Sequence, residues 1–192
     1  MKFILFLSAV WVSVAGSAQS WTKQFDFVDE SSCGLALVSK DGKRGFVTKE
    51  GKLVIPLIYE DALHFTDGMA AVKKDGKWGY LDSTGKEIVA LEYGDAISFS
   101  EGLAAIMNGG KYGFIDVRGK IIIPLVYDNA SGFSEGRAAI SKNGRWGFID
   151  KTGKEVIPCI YGFAASFSDG SAKVMKESKW IMIDINGKKI EE

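Results

Sequence analysis

Proline, cysteine and histidine are scarce in this sequence, with 3, 2 and 1 copies among 192 residues. Two cysteines are too few for a disulfide-dense scaffold, and a single histidine with them gives no zinc-ligand spacing. An excess of charge is missing too, because 24 Lys and Arg are balanced by 24 Asp and Glu. With those charges spread evenly along the chain, no field exists to gather DNA, RNA or an anionic membrane, so no nucleic-acid partner is expected. No phosphate-cradling glycine loop and no Ser-His-Asp signature is found. What the chain does have is 23 glycines, 12 phenylalanines and 46% hydrophobic residues, the composition of a folded protein.

The one long apolar run lies at the N-terminus. Lys2 is followed by Phe3 to Val14 and then by Ala15-Gly16-Ser17-Ala18. An apolar core of about 12 residues is well short of the roughly 20 that span a bilayer, and Gly16 and Ala18 supply the small side chains that a signal peptidase requires. Residues 1–18 are therefore read as a signal peptide cleaved before Gln19, with a secreted or periplasmic product and no membrane span after cleavage.

Beyond it, one pattern dominates. Lys77-Trp78-Gly79-Tyr80-Leu81-Asp82 has close copies from Lys43, Lys111 and Arg145, and a degraded one from Lys179. Gly45, Gly79, Gly113 and Gly147 recur at one constant interval, without insertions. A strict period of this length means an array of repeats that bury their apolar faces against one another. The reading divides the chain into a partial repeat over 19–30 and a repeat domain over 31–192, in units 31–64, 65–98, 99–132, 133–166 and 167–192.

Each unit opens on a turn such as Phe99-Ser100-Glu101-Gly102, with the Phe as a core plug. A first strand follows, in which Ala36, Ala70, Ala104, Ala138 and Ala172 share a face with Val38, Val72, Ile106, Ile140 and Val174. The unvarying Ala predicts a close approach of the neighbouring unit. Asp41-Gly42, Asp75-Gly76, Gly109-Gly110 and Asn143-Gly144 then predict two-residue hairpin turns with both residues at positive φ. In the second strand the interior glycine predicts that a ring or backbone lies directly against it, and Trp78 is read as the main anchor of its unit. Asp82, Asp116, Asp150 and Asp184 begin type I turns whose carboxylates cap local amides. A third strand ends near Pro56, Pro124 and Pro158, and a tail such as Tyr59-Glu60-Asp61-Ala62 leads to the next Phe.

The whole run, G-x-A-x-V-x-x-D-G-K-W-G-F-I-D-x-x-G-K-x-V-I-P-x-x-Y-D, resembles the bacterial WG-repeat family, named for its Trp-Gly pair. The match extends over residues 31–190. It implies an all-β repeat scaffold and offers no catalytic residues to carry over. Arg44 and Tyr112 replace the Trp, Ile181 replaces the Gly and Ala90 replaces the Pro. The expected fold is all-β, with tandem 34-residue repeats of three short antiparallel strands in an open superhelical or solenoid-like array. The alternative is a closed, propeller-like ring of five units, because the N-terminal fragment from Phe25 matches the part of a unit that the C-terminal one lacks.

Residues present in every unit are explained by the fold, so no catalytic, cofactor-binding or metal-binding residue is assigned and no cofactor is expected. Irregular positions are the places to look. His64 occupies a slot filled elsewhere by Ser98, Gly132 and Ser166, and reads most simply as a surface residue. Cys33 and Cys159 read as unpaired or buried thiols, since only a closed ring would bring them together. Asp67, Glu101, Glu135 and Asp169 beside Lys86, Lys120 and Lys154 form charged stripes read as a solvated face, and Asn129-Ala130-Ser131 is a formal glycosylation sequon. The functional expectation is an exported, non-catalytic scaffold that binds a protein or a cell-envelope glycan. The alternatives are an envelope enzyme, or an accessory subunit, with a site near His64, and a purely structural role.

Overall fold

The computed structural model describes residues 20–29 and 33–191. The signal peptide and its cleavage point lie outside the described residues. The chain forms five antiparallel sheets in succession. The first holds β1 (Phe27–Val28), β2 (Leu35–Lys40), β3 (Lys43–Thr48) and β4 (Leu53–Tyr59). The second holds β5 (Asp61–Ala62), β6 (Met69–Lys74), β7 (Lys77–Asp82) and β8 (Glu87–Tyr93), and the third β9 (Asp95–Ala96), β10 (Leu103–Asn108), β11 (Lys111–Asp116) and β12 (Ile121–Tyr127). The fourth holds β13 (Asn129–Ala130), β14 (Ala138–Lys142), β15 (Arg145–Ile149) and β16 (Glu155–Tyr161). The fifth has three strands, β17 (Phe163–Ala164), β18 (Ser171–Lys176) and β19 (Lys179–Asp184).

The three long strands expected of each unit are present in the first four sheets and two of them in the fifth, and a fourth, very short strand joins them on the first edge; the third strand does not end at Pro56, Pro124 and Pro158 as expected but runs through them to Tyr59, Tyr127 and Tyr161. The short strand comes from the tail of the preceding sequence unit, so each sheet starts slightly before the unit boundaries read from the sequence. A strand as short as Asp61–Ala62 cannot show a period, which is why the pattern does not reveal it.

The hairpin turns are as expected. Asp41-Gly42, Asp75-Gly76 and Asn143-Gly144 have both φ values positive, with Asp75 at 52° and Gly76 at 73°. The Asp turns also hold: Asp82 Oδ1 accepts the N–H of Thr84 at 2.9 Å and of Lys86 at 3.1 Å.

The interior strand glycine has a definite cause. A Cβ at Gly79 would lie 2.6 Å from the Val89 carbonyl oxygen, and one at Gly113 would lie 2.5 Å from that of Ile123. The last strand of the sheet bulges across this glycine, where the pairing register shifts between Tyr112 and Phe114. In the fifth sheet no such strand is present among the described residues beyond the Ile183 to Lys189 bridge, and Ile181 stands in the glycine slot.

Sheets pack face to face on their neighbours. Between the second and third, Met69, Ala71, Trp78, Tyr80 and Val89 meet Ala104, Ile106 and Ile115, with Phe99 in the same cluster. Ala104 is fully buried there, as its constancy predicts. Trp78 is buried in this cluster, at 8% exposure, but it is not the main anchor expected of its unit. The fully buried ring is the second aromatic of the motif, at Phe46, Tyr80, Phe114 and Phe148. Each meets the plug of the next unit, Phe65, Phe99, Phe133 or Phe167, with ring centroids 4.8 to 5.0 Å apart. The Trp slot sits nearer the rim, which is how it accepts Arg44 and Tyr112.

The two ends differ. At the start, the 3-10 turn Ser20–Gln24 lays Trp21 and Phe25 on Ala36, Val38 and Val47. Trp21 lies where a Cβ on Gly51 would approach within 2.4 Å, in the place that Ile55 takes on Gly85 and Val89 on Gly119. A single indole thus stands in for a preceding sheet. β1 pairs with β2, so the N-terminal fragment completes its own sheet rather than the fifth. At the far end the outward face of the fifth sheet is uncovered among the described residues. Met182 is 36% exposed, where its counterparts Tyr80, Phe114 and Phe148 are fully buried.

Candidate functional site

The repeated acidic stripe is structural. Asp67 Oδ2 accepts the Gly102 N–H of the next sheet at 2.8 Å, Glu101 accepts that of Gly136 at 3.1 Å, and Glu135 that of Gly170 at 3.0 Å. The acids sit at positive φ, between 49° and 54°, in two-residue turns that aim the carboxylate forward. The neighbouring hydroxyls act likewise: Ser100 donates to the Phe133 carbonyl and Ser134 to that of Phe167, both at 2.7 Å. The expectation of a merely solvated stripe is corrected by these contacts. Their signal in the sequence is the shared period of acid, hydroxyl and glycine. Lys151 adds a 3.0 Å ion pair to Glu101. Although burial raises the Glu101 carboxyl, that ammonium and the Gly136 amide outweigh it and leave the group below its ordinary range.

Asp169 occupies the last such position. Having no further sheet to hold among the described residues, it accepts a hydrogen bond from its neighbour Ser168 at 3.2 Å.

His64 pairs with Asp29 across the first connection, Nε2 to Oδ2 at 2.9 Å, and its side chain is 45% exposed. Neither Cys33 nor Cys159 is joined in a disulfide. Cys33 lies in the turn before β2, in the slot of the repeated acid, with φ at 54°. Cys159 is half-buried in β16; burial first, and then Glu155 with its carboxylate 3.7 Å away, push the thiol up to about 11. Such a group is protonated at neutral pH and a poor nucleophile. Asn129 of the sequon is engaged in β13, and Ser131 accepts the Ala139 N–H at 3.0 Å. No cluster of three His, Cys, Asp or Glu side chains suited to a metal ion occurs among the described residues.

A feature that the sequence pattern leaves hidden runs across the sheets at half the repeat. Positions 44, 61, 78, 95, 112, 129, 146, 163 and 180 are evenly spaced along the chain and interact in succession at several points. Near the start these contacts are polar. Arg44 pairs with Asp61 at 2.8 Å, and the Tyr112 hydroxyl donates to Asp95 at 2.5 Å. Burial first, and that carboxylate second, push the Tyr112 phenol up to about 12. Towards the end they become aromatic. Trp146 meets Phe163 at 5.7 Å between centroids, and Phe163 meets Trp180 at 5.7 Å. Phe163 is 43% and Trp180 48% exposed. Lys173 Nζ lies 5.1 Å from the Trp180 ring centroid. Lys173 also takes a position held by Ala71, Ala105 and Ala139 in the inner sheets.

Geometry of this kind defines an all-β repeat protein, with polar groups committed to joints between sheets and an uncommitted aromatic end. The chain belongs to the WG-containing-repeat family, whose repeat matches it at residues 22–43, 45–78, 78–112, 112–146 and 146–180. No curated protein matches it in sequence. Among solved structures it is similar to Kluyveromyces lactis Hsv2, with a TM-score of 0.56 at 10% identity over 82% of this chain and 58% of that one. It is also similar to a eukaryotic initiation factor (TM-score 0.59, 10% identity, 85% of this chain and 53% of that one). Apo AztD from Citrobacter koseri gives 0.51 at 13% identity, over 86% of this chain and 58% of the other. The chain thus spans between half and three fifths of the length of these structures. The likeness, to propeller-like folds, concerns architecture alone.

Proposed function

We propose that this protein is an exported, non-catalytic scaffold of the cell envelope, whose role is to bind a protein or an envelope polymer. The observation that carries the reading is the uncovered outward face of the fifth sheet, at the end of a stack whose other faces are filled. Stacked repeats offer extended surfaces of similar units, suited to many weak contacts. The apolar run Phe3 to Val14, followed by small residues, supports export. Cosedimentation of the purified protein with washed envelope fractions tests the reading, alongside mass spectrometry of the exported chain for a start at Gln19. Recovery in the pellet is the expected result; a protein left wholly in the supernatant, or an uncleaved cytoplasmic chain, overturns it.

The pairing of His64 with Asp29 at 2.9 Å favours a second reading, an envelope enzyme or accessory subunit with its site at this connection. His64→Ala decides between the two. Unchanged envelope binding supports the scaffold, and loss of a hydrolytic or transfer activity with intact folding supports the enzyme.

A further inference from the structure

The geometry points to the row Trp146, Phe163 and Trp180 as a binding site for an anionic saccharide chain. The inference rests on the scaffold reading and names the chemistry of its ligand. Three rings at 5.7 Å steps, the first pair tilted and the second edge to face, span the joint between the fourth and fifth sheets. Pyranose rings present apolar C–H faces that pack on aromatic side chains, while their hydroxyls and carboxylates point sideways to polar groups. Lys173 lies over Trp180, and Arg145, Lys176 and Lys179 are exposed on the adjoining strand ends, where Glu177 is the one acid between the last two. None of the four forms a salt bridge among the described residues, so their charge is available to a carboxylated ligand.

Three observations set a saccharide above a protein partner. The exposed apolar side chains at this end, Phe163, Trp180, Met182 and Ile190, are few and are interrupted by the exposed Lys173 and Lys189, whereas a stable protein interface buries about 800 Å² on each side around an apolar core. Lys173, where the inner sheets have Ala, places a cation within the face that a further sheet or a second copy would have to cover. The opposite end of the array is closed by Trp21, so a second copy cannot dock head to tail by repeating the contact between sheets.

Calorimetric titration of the purified protein with oligogalacturonate tests the inference, with neutral maltohexaose and polyglutamate as controls for ring and charge alone. Oligogalacturonate is expected to bind at least tenfold more tightly than either control. Trp180→Ala and Lys173→Gln should each weaken it at least fivefold, with far-UV circular dichroism unchanged. Equal binding of polyglutamate, no binding of oligogalacturonate, or binding indifferent to both substitutions overturns it. So does a concentration-dependent rise in mass abolished by Trp180→Ala, which assigns the face to a second copy. Envelope cosedimentation of Trp180→Ala separates the two levels: retention there, with negative titrations, leaves the scaffold standing and removes only the saccharide site.

Discussion

Gly113→Ala should damage this protein more than its size suggests. The added methyl would lie 2.5 Å from the Ile123 oxygen, 2.7 Å from the Pro124 carbonyl carbon and 2.8 Å from the Leu125 nitrogen. All three are backbone atoms, so no rotamer change relieves the clash, and β12 must lift off β11 where Tyr112 pairs with Tyr127 and Phe114 with Ile123. Overpacking commonly costs about 1 to 3 kcal/mol when side chains can shift; with backbone on every side the expected loss is at the top of that range, about 3 kcal/mol. Gly94→Ala is the internal control. Its methyl meets Met107 Cε at 3.0 Å and Sδ at 3.3 Å, the far end of a flexible side chain. Reduced freedom of the unfolded chain offsets that contact by about 0.4 to 1 kcal/mol, so this variant should stay within about 1 kcal/mol of the parent. Urea denaturation followed by far-UV circular dichroism gives both values, with the slope as a check that unfolding remains cooperative. If Gly113→Ala loses less than about 1 kcal/mol, or no more than Gly94→Ala, the bulged strand is not what the glycine serves.

Other expectations are testable by similar means. Phe148→Ala should cost about 3 to 5 kcal/mol in urea melts, and Trp146→Ala clearly less, because the first ring is fully buried against Phe167 and the second is half-buried. Ala104→Leu should cost about 1 to 3 kcal/mol against the Tyr80 and Val89 side of the core; an unchanged midpoint would count against the close approach. Acid should weaken the fold in a defined window. Thr84 holds the Asp82 carboxyl, Lys111 that of Asp128 and Thr152 that of Asp150 below their ordinary 3.8. Groups lowered on folding stabilise above the unfolded value and lose that contribution as pH falls through the folded one, so thermal midpoints should be flat between about pH 7 and 5 and fall below about 4. Cys159, raised to about 11, has roughly a thousandth of its thiol ionised at pH 8; its alkylation by iodoacetamide should therefore be far slower than that of a free thiol peptide.

The sequence exposes this fold because its signals are local and repeated. Hairpin turns follow from Asp-Gly and Asn-Gly, strand faces from the alternation around Ala104, and the Asp82 caps from side-chain chemistry within a single turn. Hidden features depend on contacts one sheet away. The carboxylate of Glu101 is spent on the amide of Gly136 in the following unit, and nothing near Glu101 in the chain shows that. Trp draws the eye as the anchor because it is the largest residue of the motif, yet each slot is aromatic in four of the five units, and only the contact of Phe46, Tyr80, Phe114 and Phe148 with the Phe of the next unit shows which ring is the deeper. The aromatic row is hidden for another reason. Its members alternate between two repeat positions, and a comparison made at the full repeat never sets Phe163 beside Trp146 and Trp180. His64 and the two cysteines stand out as rarities, yet the structure gives His64 a carboxylate partner and leaves both cysteines outside disulfides.

The forward-pointing acids give the array a direction, and with it a rule for growth. Every inner unit carries one half of each joint at its front and the other half at its back, and among the described residues Trp21 at one end and Lys173, Ile181 and Met182 at the other depart from that pattern. A duplication or loss of one whole repeat with both edges at equivalent glycines, such as Gly113 and Gly147, would splice a joint identical in kind to those it replaced. Lengthening such a chain needs no new interface to be invented, so the number of sheets is free to drift while the two ends, and whatever the last one holds, are kept.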